Sequence, residues 1–130
     1  MASPRTTEFH DERLIVALEI LSDLELDDLD FGVIGFNQAG MVRRYNAFES
    51  TAAGLPGHRV LGYPFFTAVA PCMNNYLVAQ RFEDALADGT WLDDTIQYVL
   101  TLRMRPVSVR LRLLAAVGVP TRYVAVLRTH

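Results

Sequence analysis

At 130 residues, 51% hydrophobic and 21% charged with a formal net charge of −3, the chain has the composition of one globular domain. Its single cysteine excludes an intramolecular disulfide, and with three scattered histidines it argues against a structural zinc site. Apolar runs break well before the ~20 residues of a membrane span, and the opening MASPRTTEFHDER lacks the apolar core of a secretory signal, so a cytoplasmic location without membrane contact is expected.

Residues 11–21, DERLIVALEIL, are predicted to be helical, with early acids favouring the N-terminal end. SDLELDDLD then puts five carboxylates into residues 23–30, among Leu24, Leu26 and Leu29. It reads either as a solvated connector whose leucines touch the core or as a detachable cap held by an arginine-rich sheet. FGVIGFNQAGMVRRYN, residues 31–46, predicts a hairpin around an Asn-Gln-Ala-Gly turn. Residues 46–62 contain Gly54, Pro56, Gly57 and Gly62, which suits short helices and tight turns.

YLVAQRFEDALADG is a clearer helix, with Val78, Phe82, Ala85 and Leu86 on one face and Gly89 as C-cap. Trp91 is expected to pack at the start of the third strand. That strand is TIQYVLTLRM, residues 95–104, and Pro106 marks a break. In VSVRLRLL, residues 107–114, Val107, Val109, Leu111 and Leu113 alternate with Ser108, Arg110 and Arg112. A turn at Gly118–Pro120 leads into the last strand, TRYVAVLR. This order specifies an α+β domain: a five-stranded antiparallel sheet with helices on one face, residues 1–30 forming an N-terminal helical cap and residues 31–130 the main domain.

All twelve basic residues are arginine. Residues 1–94 hold every acid and six arginines, about −9, and residues 95–130 hold six arginines and no acid, about +6. Because the basic residues alternate along strands and an acidic segment offsets them, no nucleic-acid partner is expected. Cys72, after Pro71, is a small apolar core residue, a reactive thiol or an attachment point. Tyr45 and Glu49 form either a surface pair or two polar groups on one side of a helical turn. His58 sits in a turn-rich stretch and is expected to be exposed. No metal-ligand cluster, P-loop or dinucleotide fingerprint occurs, and no histidine lies near Cys72 in sequence. Enzymatic turnover is therefore the least supported activity.

The order FGVIGFNQAGMVRRYNAFES, VLGYPFFTAVAPC, a helix and MRPVSVRLRL resembles the photoactive yellow protein family of PAS-fold blue-light receptors over roughly residues 30–128. The APC segment combined with YNxxE carries most of the likeness. The resemblance implies a PAS domain with p-coumaric acid thioester-linked to Cys72 and its phenolate held by Tyr45 and Glu49. Met104 matches a methionine associated with recovery from the bleached state. Three other pocket positions depart from the family: Ala53 falls where a threonine bonds the tyrosine, Leu55 where an arginine screens the pocket, and Leu100 where an aromatic lies near the chromophore. Phe48 also replaces a small residue beside Glu49.

A buried phenolate needs donors. Tyr45 donates through its hydroxyl, and Glu49 is expected to donate while protonated, a state that burial favours. Proton transfer from Glu49 after isomerisation would leave a buried carboxylate, whose cost is expected to drive local unfolding. The acidic segment over Arg110 and Arg112 is then the natural releasable element, with a separate downstream signalling protein, or a homodimer, as partner. The alternative is a PAS protein that does not sense light and holds haem or another small ligand, with Cys72 or His58 as axial ligand.

Overall fold

A computed structural model describes residues 7–101 and 105–128. Its strands are β1 (Gly32–Phe36), β2 (Val42–Tyr45), β3 (Leu92–Leu100), β4 (Val107–Ala115) and β5 (Arg122–Arg128). They form one antiparallel sheet in the order β2-β1-β5-β4-β3, the five-stranded sheet expected from the sequence. The helices are α1 (Leu14–Ile20), α2 (Asp23–Leu26), α3 (Ala47–Ala53) and α4 (Ala79–Asp88). Among the described residues, no helix is long and apolar enough to cross a membrane.

The β1–β2 hairpin turns on Asn37, whose Oδ1 accepts hydrogen bonds from the Ala39 and Met41 amides, and on Gly40 at φ 83°. Helix α4 ends at Gly89, left-handed at φ 63°, where a side chain would be strained. Leu86 is about half exposed, so the core-facing stripe of α4 is Val78, Phe82 and Ala85 without it. Trp91 is 65% exposed and does not pack as expected; the neighbouring Leu92 takes the buried place.

Both faces of the sheet are covered, and each has its own apolar cluster. On one face, Ile34, Phe36, Leu111, Leu113, Val124 and Val126 meet α4 and the segment around Phe65 and Met73. Phe36 stacks on Phe65 at 5.2 Å and meets Phe82 edge-on at 5.0 Å, contacts that add roughly 0.5–1.5 kcal/mol each beyond burial. On the other face, Phe31, Val33, Leu114, Tyr123 and Ala125 are covered by Phe9, Leu14, Leu18, Leu26 and Leu29.

This double cover explains why the period of two in β4 does not become a wet face. Arg112 is buried beneath the N-terminal segment. Its guanidinium donates to the carbonyls of Phe9 (2.8 Å) and Asp11 (2.6 Å) and pairs with Asp93 through both carboxylate oxygens. Arg44 donates to the carbonyls of Leu18 (2.8 Å) and Leu21 (2.5 Å), to Asp23 and to the Tyr123 hydroxyl, which in turn donates to Glu19. The cap is thus clasped by Arg44 and Arg112, chiefly through main-chain oxygens. It is not held by the 23–30 carboxylates lying over Arg110 and Arg112; Arg110 is exposed. Leu26 and Leu29 are buried as expected of the connector, whereas Leu24 is 81% exposed.

Candidate functional site

The chain leaves β2 at Tyr45 and enters α3 through Asn46, a fully buried residue. Asn46 Oδ1 accepts from the amides of Val33 (2.9 Å) and Glu49 (3.1 Å), while Nδ2 donates to the carbonyls of Leu26 (3.0 Å) and Phe31 (2.9 Å). One side chain therefore caps α3, ties it to β1 and anchors the connector from the cap. It fixes Tyr45 and Glu49 on either side of itself.

Glu49 is 3% exposed and lies against the backbone of β1. An added Cβ at Gly32 would fall 2.0 Å from Glu49 Oε1, so the carboxylate occupies a cradle that only glycine leaves open. Arg128, at the end of β5, donates to both oxygens, Nη1 to Oε1 at 2.6 Å and Nη2 to Oε2 at 3.0 Å. Here Glu49 accepts hydrogen bonds from Arg128; the donor role expected from the sequence concerns a bound phenolate. A bidentate guanidinium–carboxylate pair of this kind is among the stronger charge-assisted contacts.

Tyr45 is half-buried, and its hydroxyl donates to the Leu55 carbonyl at 3.0 Å. Ser50 Oγ donates to the same oxygen at 2.8 Å. Burial pushes the Tyr45 phenol up to about 12, the negative charge of Glu49 pushes in the same direction, and Arg128 and Ser50 oppose them. Tyr45 thus keeps its proton at neutral pH and remains a donor. Ala53 is buried and contributes no hydroxyl, and the Ser50 hydroxyl beside Tyr45 supplies a polar partner instead.

Cys72 is reached differently. Phe65–Val69 forms a wide helical turn, closed by the Ala70 amide donating to the Phe65 carbonyl, and Pro71–Met73 forms a tight 3₁₀ turn. Cys72 is a free, partly buried thiol in that second turn. Its carbonyl accepts from the Tyr98 hydroxyl (2.5 Å) and from Asn75 Nδ2 (3.1 Å), and Asn75 also donates to Tyr98 at 2.6 Å. This triangle pins the Cys72 backbone to β3.

Cys72, Tyr45 and Leu55 all pack against the apolar cluster on the α4 face, and Leu100 is a buried member of it. The structure thus brings Cys72, Tyr45, Leu55 and Leu100 to one cluster and sets Glu49 electrostatically beside Tyr45. Met104 lies outside the described residues. His58 is exposed in a short turn, Gly57–Arg59. Among the described residues, no cluster of three or more histidine, cysteine or acidic side chains is placed to hold a metal ion.

The sequence reading missed four contributors. Arg128 gave no signal because its partner is 79 residues away. Gly32 and Asn75 looked like ordinary strand and loop residues. Asn46 was findable, since an asparagine followed three residues later by glutamate is a helix-start signature.

No family model matches the chain. It is 32% identical over 101 residues to a photoactive yellow protein of Rhodothalassium salexigens, covering 78% of this chain and 80% of that one. Against a photoactive yellow protein of Halochromatium salexigens it is 34% identical over 97 residues, covering 75% and 77%. Among solved structures, the photoactive yellow protein domain of the sensor histidine kinase Ppr from Rhodospirillum centenum superposes with a TM-score of 0.79. That match has 35% identity and covers 87% of this chain and 98% of that one. With identity above 30% across about four-fifths of a relative's length and the same five-stranded fold, the chain belongs to the photoactive yellow protein family of PAS domains.

Proposed function

We propose that the protein is a blue-light sensor in which Cys72 carries p-coumaric acid as a thioester and Tyr45 and Glu49 hold the phenolate end. One observation carries this reading: the chain's only cysteine and Tyr45 pack on one apolar cluster, while buried Glu49 acts electrostatically on that tyrosine. The donor set suits such a group. Cys72 is a free thiol able to take an acyl group from an activated thioester, with release of the donor's own thiol. Tyr45 holds a proton that can turn from the Leu55 carbonyl toward an anion. Bound there, the p-coumaroyl group would supply absorption of blue light and isomerisation about its double bond.

The remaining roles fall to this chain's own residues. Tyr98 and Asn75 hold the Cys72 carbonyl, fixing the attachment point. Leu55 and Leu100 keep the flank of the site apolar, where the family resemblance implies an arginine and an aromatic ring. Arg128 offsets the charge of Glu49 as the pair stands; to hold a phenolate Glu49 would have to donate, which needs its protonated form. Protonation of Glu49 would release Arg128, and its deprotonation would recapture it. That exchange gives the site a two-state element at the end of β5. Met104 is assigned a part in recovery. The signal would pass to a separate protein.

The test is the visible spectrum of the purified protein before and after an activated p-coumaric thioester is offered, with C72A alongside. The expected outcome is a blue-absorbing band that bleaches in blue light and a mass increase of one coumaroyl group, both absent in C72A. A protein that stays colourless and unlabelled would overturn the proposal, and a Soret band as isolated would replace it with haem binding.

A further inference from the structure

The two edges of the sheet are finished differently. At β2, four residues long, the Val42 amide donates to the Tyr63 carbonyl and the Val42 carbonyl accepts from the Gly62 amide, while Met41 bridges to Pro64. Residues 62–64 therefore cover that edge. The opposite edge, β3, runs nine residues from Leu92 to Leu100 and, among the described residues, pairs with β4 alone. Every second residue of such a strand turns its N–H and C=O away from its one neighbour. A long bare edge is a template for a further strand, and proteins usually blunt it with proline, lysine or charge. Strand β3 has neither proline nor lysine. Its two acids are engaged within the molecule, Asp93 by Arg112 and Asp94 by Arg81, each at 2.8 Å.

The outer face of β3 supplies a second, independent observation. Asp93 reaches Arg112 on that face, so by alternation Thr95, Gln97 and Val99 share it. Trp91 lines a groove with Arg13 and Val16 of the cap, which covers the same face. Trp91 is 65% exposed and Val99 is 50% exposed, two large apolar groups at the ends of a polar row and equally far from Thr95. We infer that the chain forms a two-fold dimer in which β3 pairs antiparallel with β3 of a second copy, Thr95 opposite Thr95. In that register each Trp91 meets the second copy's Val99, each Asp93 meets Gln97, and no like charges are opposed. Aromatic–β-branched and Thr–Thr pairs are among the favourable cross-strand contacts. Neighbouring registers lose this match: centring on Asp94 sets that acid against itself, and centring on Ile96 sets Asp93 against Val99. The dimer joins the five strands of each copy into one continuous sheet, with both caps on one side. It rests on the sheet edge and does not depend on acylation of Cys72.

Sedimentation equilibrium of the full chain, across roughly 1 μM to 1 mM, tests this directly. Wild type should dimerise reversibly. T95K and T95D each set like charges face to face at an exposed position, and each alone should dimerise about tenfold or more weakly. Mixed one to one at low salt, the two should form a heterodimer at least as tight as wild type, because only a residue on the two-fold axis meets its own counterpart. W91A, also at an exposed position, should weaken the dimer about threefold or more and decides the matter if either charged variant fails to fold. A wild-type chain that stays monomeric up to about 1 mM overturns the proposal. So does T95K or W91A dimerising at wild-type strength, or a mixture of folded T95K and T95D that fails to associate.

Discussion

Glu49 and the outer-face arginines are partnered differently. On the α4 face, Glu49 pairs with Arg128 side chain to side chain in the space left by Gly32. On the outer face, Arg44 and Arg112 each hold a carboxylate and also donate to main-chain carbonyls of the N-terminal segment. A side-chain pair can be rearranged by one proton, because its acceptor titrates. A carbonyl cannot be titrated, so the cap is released only by moving backbone. The Glu49–Arg128 contact therefore depends on charge, and the carbonyl contacts over the N-terminal segment do not.

The sharpest way to break this contrast is G32A. Its Cβ would stand 2.0 Å from Glu49 Oε1 and 3.0 Å from Cδ, so the carboxylate must leave and Arg128 loses its partner. Breaking a buried pair from one side costs about 3–5 kcal/mol, which a denaturation midpoint would register. A loss below about 1 kcal/mol would mean that the pair is not fixed as described.

R112Q attacks the other face. The carbonyls of Phe9 and Asp11 lose their donor, and Asp93, partly exposed, loses its pair. Local opening should become easier by about 1–3 kcal/mol, the cost of unsatisfied buried acceptors. Hydrogen exchange should accelerate in residues 9–18, while the amides of β1 and β5 keep their protection. Uniform acceleration across the chain would show that cap and sheet open as one unit.

The five strands and the positions of α1 and α4 were legible because they rest on local signals: alternation in β4, the Gly89 cap, the Asn37–Gly40 turn. Tyr45, Glu49 and Cys72 were legible through a family resemblance in short motifs. What the sequence hid was pairing at a distance. Arg112 looked like the wet side of an alternating strand, because nothing local says that residues 9–12 lie on top of it. The Arg128 partner of Glu49 was hidden similarly, since it lies 79 residues away in the chain. Leu24 and Trp91 show the same limit in reverse: both are large and apolar, and both remain exposed.

A smaller effect is expected at alkaline pH. Tyr45 ionises at about 12 against an ordinary 10.0, chiefly through burial and then through Glu49. Because the folded value lies above the unfolded one, the contribution is complete below pH 10.0 and is lost as pH rises from there through about 12. Tyr123 is raised in the same direction, first by burial and then by its bond to Glu19. Absorbance at the tyrosinate band should therefore show two late-titrating phenols in wild type. In E49Q the one belonging to Tyr45 should titrate earlier, since a neutral amide no longer repels the phenolate. An unchanged curve in E49Q would place the Glu49 charge too far from Tyr45 to matter.

The smallest effect separates the two accounts of the cap. If the acidic connector were an electrostatic latch, D23N would free the N-terminal segment much as R112Q does. In the structure Asp23 is 83% exposed, and Arg44 keeps its bonds to Leu18, Leu21 and Tyr123 without it. An exposed ion pair of this kind contributes about 0.2–1 kcal/mol and weakens with salt. D23N should thus shift the denaturation midpoint slightly, by an amount that vanishes in about 1 M salt, where the Debye length falls to about 3 Å. Exchange in residues 9–18 should stay close to wild type. The acids of residues 23–30 then serve mainly as the solvated side of a connector whose Leu26 and Leu29 are buried, and the grip on the cap belongs to two arginines reaching for carbonyl oxygens.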